Sequence, residues 1–218
     1  MPEELPLFPL NTVLFPGMPL PLHIFEYRYR EMIDFCSENE KEFGVVLIKE
    51  GTEVGEPATP FEIGTMARIV GINRLEDGRM NIVTVGTRRF RLVNLSPDKK
   101  SYIVGDIEPL QDEDANAETN TAPLAEEVGG LLRRYAALVQ AALEQELTPL
   151  ELPGNPEALS YLAGGTLRIR NRERQRLLEL PSTASRLELE KEILVREAAT
   201  LQEFIEQRKG GLGPFSRN

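Results

Sequence analysis

The amino-terminal stretch from Leu5 to Phe25 constrains the fold of this chain more than any other segment. Its sequence, LPLFPLNTVLFPGMPLPLHIF, holds five prolines and no Asp, Glu, Lys or Arg. A proline inside a helix removes a backbone donor, and it pushes the preceding residue toward extended angles. The segment is therefore predicted to form short β-strands. The prolines argue against a membrane helix, and Glu3 and Glu4 stand where a signal peptide has basic residues, so a cytoplasmic protein is expected.

The charge balance and the scarcity of metal-binding side chains narrow the possible functions. The net charge is −10 at pH 7 and the pI is about 4.9, which opposes attraction to nucleic acid and to anionic lipid. Cys36 and His23 are the only residues of their kinds, so neither an intrachain disulfide nor a multi-ligand zinc site is expected. Because no third residue is seen to orient a base, both are predicted to be structural, and no catalytic residue, metal or cofactor is assigned.

The first half of the sequence is typical of β-structure with one helix. Apolar residues at positions 29, 32, 33 and 36 fall at helical spacing and predict an amphipathic helix over residues 27–37. A buried strand is predicted over residues 44–48, two long strands follow residue 60, and residues 88–95 and 102–110 add further strands. Residues 111–122 are acidic and lack large apolar side chains, so they are predicted to be a solvated linker.

The second half is predicted to be helical. A long amphipathic helix is expected beyond the linker, and Asn155 with Pro156 marks the start of a shorter helix that ends at Gly164-Gly165. Asn171 is a candidate cap for a third helix, which ends before the proline at position 181. The last helix is expected to open at Ser182 or Ser185, and Ser185 with Glu188 could form a capping box.

The two long strands are predicted to form a β-hairpin around Asp77-Gly78. This dipeptide favours a two-residue type I′ turn, which would place Leu75 opposite Met80. The resulting register puts Leu75 and Met80 on one face of the hairpin. The other face is predicted to be the core face and carries four aliphatic residues, Val70, Ile72, Val83 and Val85.

Several motifs resemble the amino-terminal, substrate-recognition domain of the Lon protease family. The opening LPLFPL…VLFPGMPLPLHIFE, followed by EYRYREMI, resembles the start of that domain. EIGTMARIVGINRLEDGRMNIVTVGTRRFRLVNL, residues 62–95, is similar to its middle. LSYLAGG, RQRLLEL and SRLELEKEIL resemble the helices that follow, except that Gly164-Gly165 replaces a pair expected to be Ala-Ala. The resemblance extends over residues 5–207.

The resemblance implies an α+β fold, in which a PUA-like antiparallel β-barrel with one helix is followed by an α-helical bundle. The domains expected are the barrel over residues 1–111, the acidic linker over 112–122, the bundle over 123–208 and a flexible tail over 209–218. No GxxxxGK[ST] phosphate loop occurs in the sequence, and the family's Ser/Lys dyad has no counterpart. A stand-alone recognition domain without ATPase or protease modules is therefore expected.

By the same resemblance, the chain is expected to be a non-enzymatic module that binds exposed apolar segments of unfolded or client proteins. It would act as an adaptor or a holdase for a separate protease. RNA or small-ligand binding is the alternative, because PUA-like barrels include nucleic-acid readers. The acidic composition of the chain argues against RNA.

Two pairs of residues are candidates for contact with client polypeptides. Leu75 and Met80 would form an apolar grip at the end of the hairpin, with packing against another layer as the alternative. Phe15 and Met18 flank a predicted Pro16-Gly17 turn and could project from the barrel rim, with core packing again as the alternative.

Two charged runs are further candidate sites. The arginines in LRIRNRERQR, residues 167–176, could contact phosphate or an acidic partner, whereas pairing with nearby acids or simple solvation is the alternative. Asp112, Glu113 and Asp114 lack the spacing of a calcium loop and are predicted to serve solubility.

Overall fold

The structure, a computed structural model, describes residues 3–53, 58–96, 99–113 and 121–210. The chain divides into two compact units. The first, here called the β unit, comprises residues 1–112 together with residues 168–180. The second, here called the helical unit, comprises residues 113–167 and 181–218. The α+β class predicted from the sequence is confirmed.

The described residues contain seven strands and five helices. The strands are β1 (Glu3–Leu10), β2 (Pro19–Ile24), β3 (Phe43–Glu50), β4 (Thr59–Pro60), β5 (Ile63–Arg74), β6 (Met80–Ser96) and β7 (Val104–Pro109). The helices are α1 (Tyr27–Glu38), α2 (Ala122–Ala142), α3 (Pro156–Thr166), α4 (Asn171–Glu179) and α5 (Thr183–Gly210). Residues 114–120 of the expected linker and 211–218 of the expected tail lie outside the described part of the chain.

Five strands of the β unit close into a ring. The order is β1, β7, β6, β5 and β3, and a parallel pairing between β3 and β1 completes it. β2 adds to the first half of β6, and β4 adds to β3. β1 accommodates Pro6 and Pro9 because it changes partner, pairing through residues 3–6 with β7 and through residues 7–10 with β3. Neither ladder therefore runs the whole length of this proline-containing strand.

Helix α1 contributes one layer of the barrel core. Its Tyr29, Met32, Ile33 and Cys36 are all buried, as their spacing predicted. The Tyr29 ring stacks on the ring of Phe8 from β1, with the ring centroids 4.1 Å apart. Burying each such side chain stabilises the fold by roughly 1.5–3 kcal/mol, which is enough to fix a short helix on the sheet.

The β5–β6 hairpin has a longer loop than the sequence predicted. Leu75 N donates to Arg79 O at 2.8 Å, and Gly78 N donates to Leu75 O at 3.0 Å. The loop therefore holds three residues, and Gly78 at its end takes the positive φ of 81° that such a loop needs.

This longer loop shifts the hairpin register by one residue. Met80 pairs with Arg74 rather than with Leu75, and a one-residue shift reverses which side chains share a face. Met80 consequently points into the core, whereas Val83 is 44% exposed and Val70 is 54% exposed. The prediction that Val70 and Val83 lie on the core face is therefore wrong.

The predicted Pro16-Gly17 turn is present, but it packs inward. Met18 N donates to Phe15 O at 3.1 Å, and Gly17 has a φ of 77°, as a type II turn requires. The turn is hydrogen-bonded to Gly86 on β6 in both directions, through Gly17 N and Met18 O. A Cβ at position 86 would lie 2.4 Å from Phe15 O, so the absence of a side chain there allows the turn to lie against the strand.

Residues 168–180 belong to the β unit, whereas the sequence placed them in the helical half. Arg89 on β6 donates through Nη1 to Leu178 O and Leu180 O, each at 2.6 Å. Its Nη2 forms a buried ion pair with Asp112. Arg89 therefore donates hydrogen bonds both to the end of α4 and to Asp112 at the end of the first segment of the β unit. Asp112, which the sequence assigned to a solvated linker, is instead almost fully buried.

Three further side chains connect α4 to the barrel by hydrogen bonds to backbone carbonyl groups. They are Asn171, Arg174 and Gln175, which donate to the carbonyl oxygens of Asn11, Val13 and Ile63 respectively. Asn171 is thus the first residue of the helix rather than its side-chain cap, and Arg170 occupies the N-cap position. These bonds connect α4 to strands far away in sequence, which explains why local patterns did not assign it to the barrel.

The helical unit is formed by α2, α3 and α5, which pack against one another. Asn155 Oδ1 accepts from Ala158 N at 3.0 Å and caps α3, as predicted, and the helix runs to Thr166, one residue beyond the predicted glycine stop. At the start of α5, Ser182 Oγ accepts from Ser185 N at 3.1 Å. Ser182 therefore takes the capping role.

Candidate functional site

Strand β2 lies at an edge of the sheet, and its free side has few backbone N–H donors. Among the described strands it pairs with β6 alone, through six consecutive residues. Pro19 and Pro21 cannot donate, so the hydrogen bonds to β6 come from the alternate residues between and beyond them. The free edge consequently lacks an N–H group at two successive positions, which blocks the addition of another strand. A bound polypeptide would therefore contact the face of this sheet.

The outer face of β2, β6 and β5 is defined by rows of cross-strand neighbours. Val83 on β6 pairs with Pro21 on β2 and with Gly71 on β5, so these three residues form one row. The next row toward the hairpin loop is polar and consists of His23, Asn81 and Asn73. The face thus changes from apolar to polar as it approaches the loop.

Gly71 leaves a gap in the apolar row. A Cβ built at this position has no other heavy atom within 4 Å. The φ angle of Gly71 lies outside the left-handed region, so its backbone conformation does not require glycine. The gap forms part of a groove of about 600 Å³, which Pro21 and Val83 line on the outer face beside the polar His23, Asn73 and Asn81.

Exposed apolar side chains continue beyond the groove. A bulge in β5 leaves Val70 without a ladder partner on β6 and directs it to solvent. At the polar end, His23 Nδ1 lies 2.7 Å from Asn81 Oδ1, and the His23 ring stacks on the half-exposed ring of Phe25, with centroids 6.1 Å apart. Several exposed apolar side chains on one face beside a polar row are typical of an interaction site.

The structure separates the two residues of the first predicted site. Met80 is only 2% exposed and belongs to the barrel core, whereas Leu75 is half-buried beside the hairpin loop. Met80 therefore lacks the accessible surface that the grip hypothesis requires, because the three-residue loop turned it inward. Contact between Leu75 and a client stays a prediction.

The second predicted site also lies largely inside the protein. Phe15 is fully buried, and the guanidinium of Arg174 lies 5.8 Å from its ring centroid. Met18 is half-buried and packs against the barrel core. Phe15 cannot contact a client in this conformation because its turn is fastened to β6, and a role for Met18 stays a prediction.

Sequence reasoning missed the groove because it assigned Val83 to the core. Two signals in the sequence indicate the groove in retrospect. The alternate prolines of PLPL put two donor-free residues on the same face of an edge strand. Gly71 interrupts an otherwise aliphatic strand, which is typical of a bulge or of a close approach by another chain.

The single cysteine and the single histidine have different environments. Cys36 is buried in the core, and burial raises the pKa of its thiol to about 12, so it is not a thiolate near neutral pH. His23 lies at the exposed end of the groove. Within the described ranges, no group of three or more His, Cys, Asp and Glu side chains is placed to hold a metal ion. No helix in that part of the chain is long and apolar enough to cross a membrane.

Comparison with known proteins identifies related sequences over most of the chain. A family model for the ATP-dependent protease La (LON) substrate-binding domain matches residues 4–196. Lon protease 2 of Syntrophobacter fumaroxidans is 29% identical over 194 residues, covering 86% of this chain and 24% of that protein. Lon protease of Roseiflexus castenholzii is 30% identical over 209 residues, covering 92% of this chain and 25% of that protein. The chain thus spans about a quarter of the length of these relatives.

Solved structures show the same fold. The Lon N-terminal domain protein from Xanthomonas campestris has a TM-score of 0.62 and 28% identity, covering 85% of this chain and 95% of the other. The N-terminal domain of the Mycobacterium avium complex Lon protease has a TM-score of 0.64 at 19% identity, covering 90% and 98% respectively. At that lower identity the second likeness concerns the fold alone.

Proposed function

This chain belongs to the Lon family of protease substrate-binding domains, and we propose that it captures exposed apolar segments of unfolded client polypeptides without catalysing a reaction. The groove on the outer face of β2, β6 and β5 is the proposed binding site. The protein would act by binding alone, as a holdase or as an adaptor for a separate protease.

The gap at Gly71 is the observation that carries this proposal. An apolar side chain of a client could enter the gap and contact Pro21 and Val83 without moving the backbone. Burying one Leu- or Phe-sized side chain stabilises a complex by roughly 1.5–3 kcal/mol before the cost of ordering the client. One such contact gives weak, sequence-tolerant binding, which suits capture of many unfolded chains.

The proposed delivery role rests on the relatives. They are named as Lon proteases and are about four times as long as the matched region, so in them this domain is one part of a protease. Donor-free positions on the β2 edge support capture by the groove, because they limit the addition of client strands that could lead to aggregation.

Two substitutions test the groove: one fills it with a side chain, and the other places a charge in it. Gly71→Val adds a side chain in open space, and Val83→Asp puts a charge at the centre of the apolar row. Each variant is expected to weaken binding of a fluorescently labelled, reduced and carboxymethylated model protein by at least about tenfold, equal to about 1.4 kcal/mol. Anisotropy titration measures the affinity. Val93→Asp is the matched control, because Val93 lies on the same strand with similar exposure, 46% against 44% for Val83.

Salt dependence distinguishes this function from RNA binding. Capture of apolar segments is expected to persist or strengthen as salt rises, whereas RNA affinity falls steeply. Unchanged client affinity in both groove variants would refute the groove as the site. Suppression of client aggregation, followed by light scattering, tests the holdase role, and faster client degradation by an added Lon protease tests the adaptor role.

A further inference from the structure

The arginine run on α4 and the loop before it has no part in the proposed capture of apolar segments. One of its members is structural, since Arg174 donates to Val13 O at 3.1 Å and covers the Phe15 ring. Burial lowers the pKa of Arg174. Arg170, Arg172 and Arg176, in contrast, are exposed.

No ion pair joins these three arginines to an acidic side chain within the described residues, in a chain that has ten more acids than bases. Elsewhere in the β unit some exposed arginines have such partners, whereas Arg68 and Arg91 do not within the described residues. Arg74 pairs with Asp34 at 2.7 Å, and Arg79 pairs with Asp77 at 2.6 Å. Residues 168–180 hold five arginines and two glutamates, which makes the segment locally cationic. The segment therefore carries a formal charge of +3, five arginines less two glutamates.

We propose that Arg170, Arg172 and Arg176 form a binding site for an acidic segment of a partner polypeptide. Arg172 and Arg176 are four residues apart on α4, so their side chains leave the same helix face about 6 Å apart along its axis. Alternate side chains of an extended peptide are spaced by about 6.6 Å on one side. Acidic residues at every second position can therefore meet both guanidinium groups, each as a two-point contact.

A polypeptide fits this surface better than a nucleic acid does. The cationic segment is short, and the chain around it is acidic, so a long phosphate backbone would be repelled beyond the arginines. Residues 168–180 contain no aromatic side chain on which a base could stack. A short acidic peptide meets only the arginines and avoids both difficulties.

A peptide of alternating glutamate and serine tests the proposal with the full chain. The labelled peptide is expected to bind at low salt and to lose affinity as salt rises. The triple variant Arg170→Glu/Arg172→Glu/Arg176→Glu is expected to bind it at least about tenfold more weakly. A control variant reverses three other exposed arginines, Arg68→Glu/Arg133→Glu/Arg134→Glu, and is expected to change the affinity less than about twofold.

Several outcomes would overturn this site. They are absent binding of the acidic peptide by the unaltered protein, equal loss in both triple variants, and tighter binding of a single-stranded oligonucleotide through the same arginines. Circular dichroism checks that the variants fold, and a triple Arg→Gln variant replaces the charge reversal if it does not fold. Gly71→Val is expected to leave peptide binding unchanged, so a failure here is distinguishable from a failure of the groove.

Discussion

Replacing Glu190 with glutamine tests how the helical unit holds its buried charges. Glu190 and Arg186 on α5 are both fully buried, and neither carboxylate oxygen of Glu190 has a hydrogen-bond partner within the described residues. Arg186 donates to Ser160 Oγ at 3.0 Å and to Thr183 Oγ1 at 3.1 Å, and it lies 4.3 Å from the centroid of the Tyr161 ring. Arg186 therefore has polar and aromatic contacts that do not depend on Glu190.

Burial raises the pKa of Glu190 well above its ordinary value, and the charge of Arg186 lowers it by a smaller amount. The folded protein then holds a proton that the unfolded chain releases above a pH of about 4.3. The contribution of Glu190 to the free energy of unfolding is therefore most favourable below that pH, and it falls by about 1.4 kcal/mol for each unit of rising pH until the pKa of the folded state is reached. A glutamine at position 190 cannot ionise, so Glu190→Gln is expected to unfold with a larger free energy than the unaltered protein at pH 7.

The size and sign of this difference in the free energy of unfolding distinguish a neutral Glu190 from an ionised Glu190. A neutral Glu190 predicts that Glu190→Gln is more stable by at least about 1 kcal/mol at pH 7, with the advantage vanishing near pH 4. An ionised Glu190 that compensates Arg186 predicts the opposite, a loss of about 3–5 kcal/mol. Urea denaturation followed by circular dichroism at several pH values measures both. Glu188→Gln makes the same charge change at an exposed position of α5 and is the matched control. A loss of stability in Glu190→Gln that is absent from Glu188→Gln would refute a neutral carboxyl at Glu190.

Three further predictions follow from buried or closely packed positions. Arg89→Met is expected to lower the free energy of unfolding of the β unit by about 3–5 kcal/mol, because it removes the guanidinium of a buried ion pair with Asp112, and chemical denaturation measures the loss. Gly130→Ala is expected to raise the stability of the helical unit by up to about 1 kcal/mol. Gly129→Ala is expected to gain less, because its Cβ would lie 3.0 Å from a leucine methyl group. Thermal melting compares the two variants. The thiol of Cys36, with a pKa of about 12, is expected to react with a disulfide reagent at pH 8 only after denaturation, and rapid labelling of the native protein would contradict this.

Elements stabilised by contacts close in sequence were predictable, and those stabilised from a distance were not. Helix α1 follows from the spacing of its four buried side chains, and the start of α3 follows from Asn155 and Pro156. The sequence also predicted α4, but its place in the β unit depends on Arg89, which is about ninety residues away. No local pattern in α4 records that contact. The same holds for Asp112, whose acidic neighbours are typical of a solvated linker although its own carboxylate is buried against Arg89.

The candidate groove shows why the face of a strand can be ambiguous in sequence. Strands β5 and β6 carry aliphatic residues on both faces, so alternation alone cannot tell which face is the core. The loop decides, because one additional residue turns Met80 and Ile82 inward and Val83 outward. A hairpin whose outer face served only solubility would be polar there, and its register would be evident from the pattern. The aliphatic residues that obscured the register are therefore those that form the outer apolar surface, and the same ambiguity points to a binding role for that surface.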